Sequence, residues 1–168
     1  MSLKKIGIKR ADMEFKQIEP VDDMSKVIED VFGVKLGISG GWGYTHKEPV
    51  IVNSLEMPID QFLNMFATIR ANIEMNLTLE EDERYGGINV HFIEGEQFTI
   101  ENETFDHIRF EVAAIKENKY AELIQEYKDN YGKNSDFDME AHFQKRKELT
   151  IKLETDFWFK GLEEYYSE

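Results

Sequence analysis

Cysteine is absent from this 168-residue sequence, and proline occurs only three times. Without cysteine there are no disulfide bonds, no thiolate metal ligands and no cysteine nucleophile. The sequence also lacks an apolar run near the ~20 residues of a membrane-spanning helix, and its first residues lack the apolar stretch of a signal peptide. We therefore expect a cytoplasmic protein with no membrane contact, stabilised by packing alone.

Positive charge is also scarce, since 20 Lys and Arg residues stand against 34 Asp and Glu residues and the formal net charge is −14. Residues 74–106 are the most unbalanced segment, with ten acidic side chains and a single basic one, Arg84. Binding of a duplex requires clustered Lys and Arg that replace counterions, so we expect no nucleic-acid partner. The acidity has two interpretations: a surface that keeps the protein dissolved, or a surface that docks a basic partner.

The remaining composition supports one globular domain over residues 1–168. Apolar residues make up 41% of the chain and include twelve Phe, enough for a single core. Apolar residues at helical spacing predict helices at 24–32, 58–77, 120–131, 139–146 and 162–166. The clearest is 58–77, where seven large apolar residues share one face.

Alternation of apolar and polar residues predicts about seven strands. They lie at residues 4–18, 34–38, 50–52, 88–92, 98–100, 108–114 and 149–159. Turns are expected at residues 94–96 and 102–104. For the final segment, a helix with Leu149, Leu153 and Phe157 on one stripe is the alternative. We therefore expect an α+β fold in which a mainly antiparallel sheet has helices packed on one face.

Four of the eleven glycines fall within residues 37–46. Their order matches neither a dinucleotide-binding G-x-G-x-x-G nor a P-loop, and it favours a hairpin with a glycine bulge that lets Trp42 and Tyr44 project over the sheet. The alternative is a ligand-contacting loop lined by Trp42, Tyr44 and His46. Ser39 has G-x-S-x-G spacing, but a hydrolase nucleophile elbow requires a doubly wound parallel sheet, which the pattern does not predict.

Polar residues of two predicted strands fall on one face of the sheet. When the apolar residues of 108–114 face the core, His107, Arg109 and Glu111 face away from it, together with His91 of a neighbouring strand. Such a patch suits acid–base chemistry or the clamping of an anionic group. The alternative is a solvated sheet face with ordinary cross-strand pairs. The four histidines show no metal-binding spacing, and we expect no metal or cofactor.

The last predicted strand is followed by an aromatic tail. In a strand, Trp158 points away from the core, and Tyr165 and Tyr166 follow it. Exposed aromatics beside the edge of a sheet are typical of subunit contacts, so these three residues are the candidate interface of a homodimer. The alternative is that the tail packs in the core against the helix at 58–77.

The leading hypothesis for function is a non-catalytic binding module that contacts a protein partner or a second copy of itself through its acidic middle third and exposed aromatics. The alternative hypothesis is a small-molecule-binding protein or small enzyme that uses His91, His107, Arg109 and Glu111 beneath the glycine-rich loop. A deep pocket between that loop and the polar face would favour the second hypothesis, and a flat, solvated face would favour the first.

Overall fold

Five strands form one mixed sheet within residues 17–77 and 79–166, the parts of the chain that the computed structural model describes. The elements are α1 Met24–Phe32, β1 Gly37–Gly40, β2 Val50–Ser54, α2 Ile59–Asn72, β3 Tyr85–Ile100, β4 Glu103–Lys116, α3 Glu117–Asn130, α4 Met139–Leu149 and β5 Ile151–Lys160. A π-helical turn, Ile73–Leu77, continues α2, and short 3-10 helices lie at Glu81–Glu83 and Leu162–Tyr165. In this described part, no helix has the length and apolarity to cross a membrane.

The strand order is β1-β2-β5-β4-β3, so the last strand of the chain lies at the centre of the sheet. Strand β5 pairs with β4 in antiparallel and with β2 in parallel orientation, while β1–β2 and β3–β4 are antiparallel hairpins. The α+β class is therefore as predicted, and the final segment is a strand, not a helix. The sheet is mixed because the chain inserts α3 and α4 before returning between the two hairpins.

The prediction of about seven strands is wrong for the described chain, mainly because two predicted strands are halves of one. Strand β3 runs straight through residues 94–96, where a turn was expected. Gly95 there allows close packing, since a Cβ would lie 2.9 Å from Ile108 Cδ1. The chain reverses instead at Glu101 and Asn102, which both have positive φ angles. The strand predicted at residues 4–18 falls almost entirely outside the described residues.

Helices α1 and α2 cover one face of the sheet and enclose the core. The side chain of Asp23 accepts a hydrogen bond from Lys26 N and so caps α1, which ends at Gly33 with φ +70°. Phe66 of α2 is fully buried, and its ring contacts those of Phe157 and Phe159 on β5. The predicted long helix is therefore central to the core.

The expectation that all helices lie on one face is wrong at the far end of the sheet. The ring of Tyr120 in α3 lies against Gly86 and Gly87, with no room for a Cβ at either position. Gly86 pairs with Ile115, whose side chain is on the same face as that of Glu111. Helix α3 therefore covers one end of the sheet face that lies opposite α2. From the alternation in the sequence, that face was expected to be exposed to solvent.

Candidate functional site

The pairing register brings the predicted polar residues onto one face. His91 is opposite Glu111 on the β3–β4 pair, and Arg109 and His107 follow at alternate positions of β4. Arg109 forms ion pairs with Glu94 at 2.5 Å and with Glu154. His91 itself is exposed.

The remaining polar groups on this face are also engaged with neighbouring strands. His107 Nε2 lies 2.8 Å from Asp156 Oδ1, and Lys152 Nζ lies 3.9 Å from Glu111 Oε1. Cross-strand ion pairs of this kind are an ordinary feature of a solvated sheet face. The structure therefore brings His107, Arg109 and Glu111 together as members of separate pairs that span three strands.

The aromatic candidates of the tail lie in different environments. Trp158 is half-buried because its indole stacks on the His107 imidazole, with 4.4 Å between ring centroids, and Phe98 lies 5.5 Å away. Tyr165 is half-buried and its hydroxyl donates to the carbonyl of Asn53 at 3.1 Å. Tyr166 is 42% exposed.

The glycine-rich loop sends its aromatic residues to different faces. Trp42 and Tyr44 are buried in the core, whereas His46 contacts Trp158 on the polar face at 5.7 Å between ring centroids. Gly43, with φ +85°, lies directly against β5, where its carbonyl accepts a hydrogen bond from Trp158 N at 2.8 Å. The loop therefore wraps the end of the sheet, and its three candidate residues do not line a common surface.

A buried ionic network holds this loop against α2. Tyr44 donates a 2.5 Å hydrogen bond to Glu74, whose carboxylate also lies 3.5 Å from Arg70 Nε. The guanidinium of Arg70 donates to the carbonyls of Trp42 and Asp156 at 3.1 and 2.7 Å. Burial raises the pKa of Glu74, and the charge of Arg70 opposes that rise. The network ties three parts of the chain together through one ion pair and three hydrogen bonds.

An open cleft of about 1060 Å³ lies on the opposite face of the sheet, between α2 and the β3–β4 hairpin. Its apolar walls come from the end of α1, the outer side of α2 and the inward side of the hairpin. The apolar lining residues are Phe32, Val34, Ile59, Leu63, Met65, Ile69, Phe92, Ile108 and Phe110. The cleft exists because the long hairpin extends beyond the part of the sheet that α2 covers.

Asp106 contributes a buried carboxyl group to the lining of this cleft. The residue is only 2% exposed, and its Oδ2 accepts a hydrogen bond from the hydroxyl of Tyr166. Its Oδ1 has no hydrogen-bond partner among the described residues. Burial raises the pKa of Asp106 to about 6, the nearby charge of Glu163 adds to this rise, and the Gln97 amide opposes it. At neutral pH the cleft therefore contains a mainly ionised carboxylate, to which the side chains of Tyr166 and Gln97 donate hydrogen bonds.

Sequence reasoning missed Asp106, although the signal was present. Asp106 continues the inward-facing alternation of Ile108, Phe110 and Val112, so a carboxyl group was to be expected on the core face. In the sequence it is one of the ten acidic residues of segment 74–106. A polar residue at a core-facing position is a stronger indication of a functional site than a polar residue on a solvated face.

Comparisons with known proteins do not identify the chain. No protein-family model matches it, and no curated protein or solved structure matches it at a significant level. Within residues 17–77 and 79–166, no group of three or more His, Asp or Glu side chains is arranged to hold a metal ion. A function can therefore be proposed only from the structure, and the cleft is the feature whose volume and lining residues suggest one.

Proposed function

We propose that this protein is a small-molecule-binding protein whose ligand occupies the cleft between α2 and the β3–β4 hairpin. The observation that carries the proposal is the cleft itself, with a volume of about 1060 Å³ and walls that are mainly aliphatic and aromatic. Ligand sites are typically apolar clefts of roughly 300–1,000 Å³ with a few convergent polar groups, as at Asp106 and Tyr166 here. The ligand class is therefore a largely apolar molecule of drug-like size.

The proposal keeps the small-molecule hypothesis from the sequence but moves the site to the other face of the sheet. Polar side chains of the originally predicted face are paired across β3, β4 and β5. The cleft, in contrast, is bounded by elements that are distant in the chain. Its polar groups are placed for recognition, and nothing in their arrangement supplies a nucleophile beside a base.

The test is to fill the cleft and measure the binding of a neutral hydrophobic fluorophore, Nile red. Met65 lines the cleft and is half-buried, so Met65→Trp would place an indole in the space that the fluorophore needs. Phe143→Trp is the matched control, because Phe143 is 53% exposed on α4 and does not line the cleft. We expect Met65→Trp to weaken binding by at least about tenfold, with no change for the control. Equal binding by the wild type and Met65→Trp would contradict the proposal.

A second candidate function is self-association, which the position of β3 at an edge of the described sheet supports. Strand β3 is one of the two outermost strands of that sheet, and it exposes Phe92, Ile93 and Phe98. An unprotected edge strand can pair with the same strand of another copy, and an antiparallel arrangement gives a two-fold contact. This proposal moves the predicted homodimer contact from Trp158, which is half-buried against His107, to β3.

Sedimentation analysis of matched lysine variants tests this candidate. Ile93 is 41% exposed on the β3 edge and Val31 is 48% exposed on α1, so both accept lysine at the surface. We expect the wild type and Val31→Lys to sediment as dimers and Ile93→Lys as a monomer. A monomeric wild type would reject the dimer. A dimer that persists in Ile93→Lys but dissociates in Trp158→Ala would return the interface to the aromatic tail.

A further inference from the structure

If the cleft binds a small molecule as proposed, the charges that line it indicate the charge of that ligand. The ionisable residues of its described lining are Asp60, Glu96, Asp106 and Tyr166. Glu96 pairs with His107, so its side chain lies on the opposite face of the sheet. None of the described residues that line the cleft is Lys, Arg or His, so an anionic ligand finds no positive partner among them. Because the formal charge of the whole chain is also −14, the long-range field attracts cations and repels anions.

Asp106 supplies the specific recognition element. Its carboxyl group is 2% exposed, and Oδ1 has no hydrogen-bond partner within the described part of the chain. An ionised carboxylate in such a setting is stabilised by a donor, and a charged donor gives a stronger hydrogen bond than a neutral one. The carboxyl group shares the cleft with the apolar side chains of Ile108 and Phe110.

We infer that the ligand is an amphipathic amine whose ammonium group pairs with the Asp106 carboxylate while its apolar body lies along Ile108, Phe110 and the facing side of α2. This inference rests on the proposed function and specifies its ligand class. Fatty acids and other anionic amphiphiles fit the apolar walls but meet no cation among the described lining residues. Neutral alcohols fit the walls and hydrogen-bond to Asp106 without the ion pair.

The ionisation of Asp106 makes this recognition dependent on pH. The groups that face its carboxyl group are Tyr166 from the chain end, Glu163 from the Leu162–Tyr165 helix and Gln97 from β3. Glu96 of β3 and Asp60 of α2 also line the cleft. Since burial raises the pKa of Asp106 to about 6, the carboxyl group is mainly neutral at pH 5 and mainly ionised at pH 7.5. Protonation removes the ion pair, so the affinity for an amine falls as the pH is lowered.

The experiment compares three probes that share an apolar body and differ in the head group: 4-phenylbutylamine, 4-phenylbutan-1-ol and 4-phenylbutanoate. Isothermal titration at pH 7.5 uses the full-length protein, Asp106→Asn and the control Asp156→Asn. Asp156 is a matched control because it is also a buried aspartate of the same sheet, but its carboxylate faces His107 on the opposite side. Asp106→Asn keeps the size of the side chain and removes its charge.

We expect the wild type and Asp156→Asn to bind the amine at least about tenfold more tightly than the alcohol, and to bind the carboxylate more weakly than both. In Asp106→Asn the preference for the amine should disappear while the affinity for the alcohol stays the same. For the wild type, lowering the pH from 7.5 to 5 should weaken amine binding by about tenfold and leave alcohol binding unchanged. This pH profile needs no variant, so it remains decisive if Asp106→Asn folds poorly.

Failure of this inference is distinguishable from failure of the proposed function. Equal affinity for the amine and the alcohol, with both lost in Met65→Trp, would overturn the amine inference and leave the cleft as a binding site for neutral ligands. Tighter binding of the carboxylate than the amine would overturn it as well. No binding of any probe, together with Nile red binding that Met65→Trp does not change, would overturn both proposals.

Discussion

At the scale of single residues, the polar groups inside the core differ in how completely they are satisfied. Arg70 and Glu74 lie one helical turn apart, and the guanidinium also donates to two backbone carbonyls. Asp106 accepts hydrogen bonds from Tyr166 and from the Gln97 side chain, and no cation is paired with it among the described residues. Burying a charge is costly unless it is paired and hydrogen-bonded. Arg70 and Glu74 are therefore expected to act in structure, whereas the Asp106 carboxylate can pair with a cationic ligand.

The raised pKa of Asp106 predicts a pH-dependent stability. In the unfolded chain the carboxyl group ionises near its ordinary value of 3.8, but in the folded protein only near 6, so the folded state binds more protons between these values. Stability contributed by this group is therefore present below pH ~4 and is lost as the pH rises to ~6. Relative to Asp106→Asn, the wild type should lose about 1–2 kcal/mol between pH 4 and 7, with part of the shift screened by solvent.

Urea unfolding of the wild type and Asp106→Asn at several pH values checks this prediction. Asp60→Asn is the control, since Asp60 lines the same cleft but is exposed. This control measures the effect of removing a carboxylate from the exposed rim of the cleft. A difference between the wild type and Asp106→Asn that does not change from pH 4 to 7 would show that the carboxyl group ionises normally.

Removing one member of the buried ion pair should destabilise the protein strongly. In Arg70→Met, Glu74 loses its cation while remaining 2% exposed, and a loss of about 3–5 kcal/mol is expected. Arg70 opposes the burial-induced rise in the Glu74 pKa, so without Arg70 this pKa rises further and the loss should be larger at pH 8 than at pH 5. The measurement is the free energy of unfolding at both pH values.

The double variant Arg70→Met with Glu74→Met is the control for that experiment. Replacing both partners removes the uncompensated charge, so the double variant should be more stable than Arg70→Met alone. If the double variant is the least stable of the set, the hydrogen bonds from Arg70 to the Trp42 and Asp156 carbonyls contribute more than the charge pairing does.

At the scale of elements, the sequence predicts most of the helices and strands, but it does not predict every turn between them. The apolar stripe of α2 and the alternation in β4 and β5 are strong periodic signals, and each gives the observed type of element. Glycine between two glutamates is typical of a turn, so the sequence predicts two strands separated at Gly95 where the structure has the single strand β3. In the structure Gly95 leaves room for the side chain of Ile108 on the neighbouring strand. The residues next to Gly95 in the sequence do not indicate this contact.

The packing of α2 on β5 predicts a large loss on truncating its central ring. Phe66 is fully buried and contacts the aromatic rings of Trp42, Phe62, Phe157 and Phe159. Phe66→Ala should therefore reduce the free energy of unfolding by about 3–5 kcal/mol, measured by denaturant melts. Val31→Ala on the exposed side of α1 is the control and should change it by less than about 0.5 kcal/mol. A loss below about 1 kcal/mol for Phe66→Ala would contradict the observed core.

At the scale of the whole molecule, the candidate site is a product of long-range arrangement. The cleft joins residues of α1 and α2 to β3, β4 and Tyr166. Alternation along a strand indicates which residues share a face, and it placed His107, Arg109 and Glu111 together correctly. It carries no information on how far a helix covers that sheet. The sequence could therefore predict the polar face but not the cleft on the other side.

The overall charge predicts that nucleic acids are excluded from the whole surface. The formal net charge is −14, and residues 74–106 contribute ten acidic side chains against Arg84 alone. The exposed 3-10 turn Glu81–Glu83 and the exposed Glu94 and Glu96 of β3 place part of this charge at the surface. Because binding to a phosphate backbone derives its affinity from clustered cations, we expect such a surface to repel DNA and RNA.

Fluorescence anisotropy with labelled DNA and RNA at physiological salt measures this exclusion. We expect no binding at micromolar protein and no appearance of binding when the salt is lowered, because weaker screening strengthens the repulsion. A duplex-binding protein of similar size is the positive control for the labelled probes. Submicromolar binding that weakens as salt is added would show that basic side chains form a continuous surface, and the interpretation of the charge distribution would then be wrong.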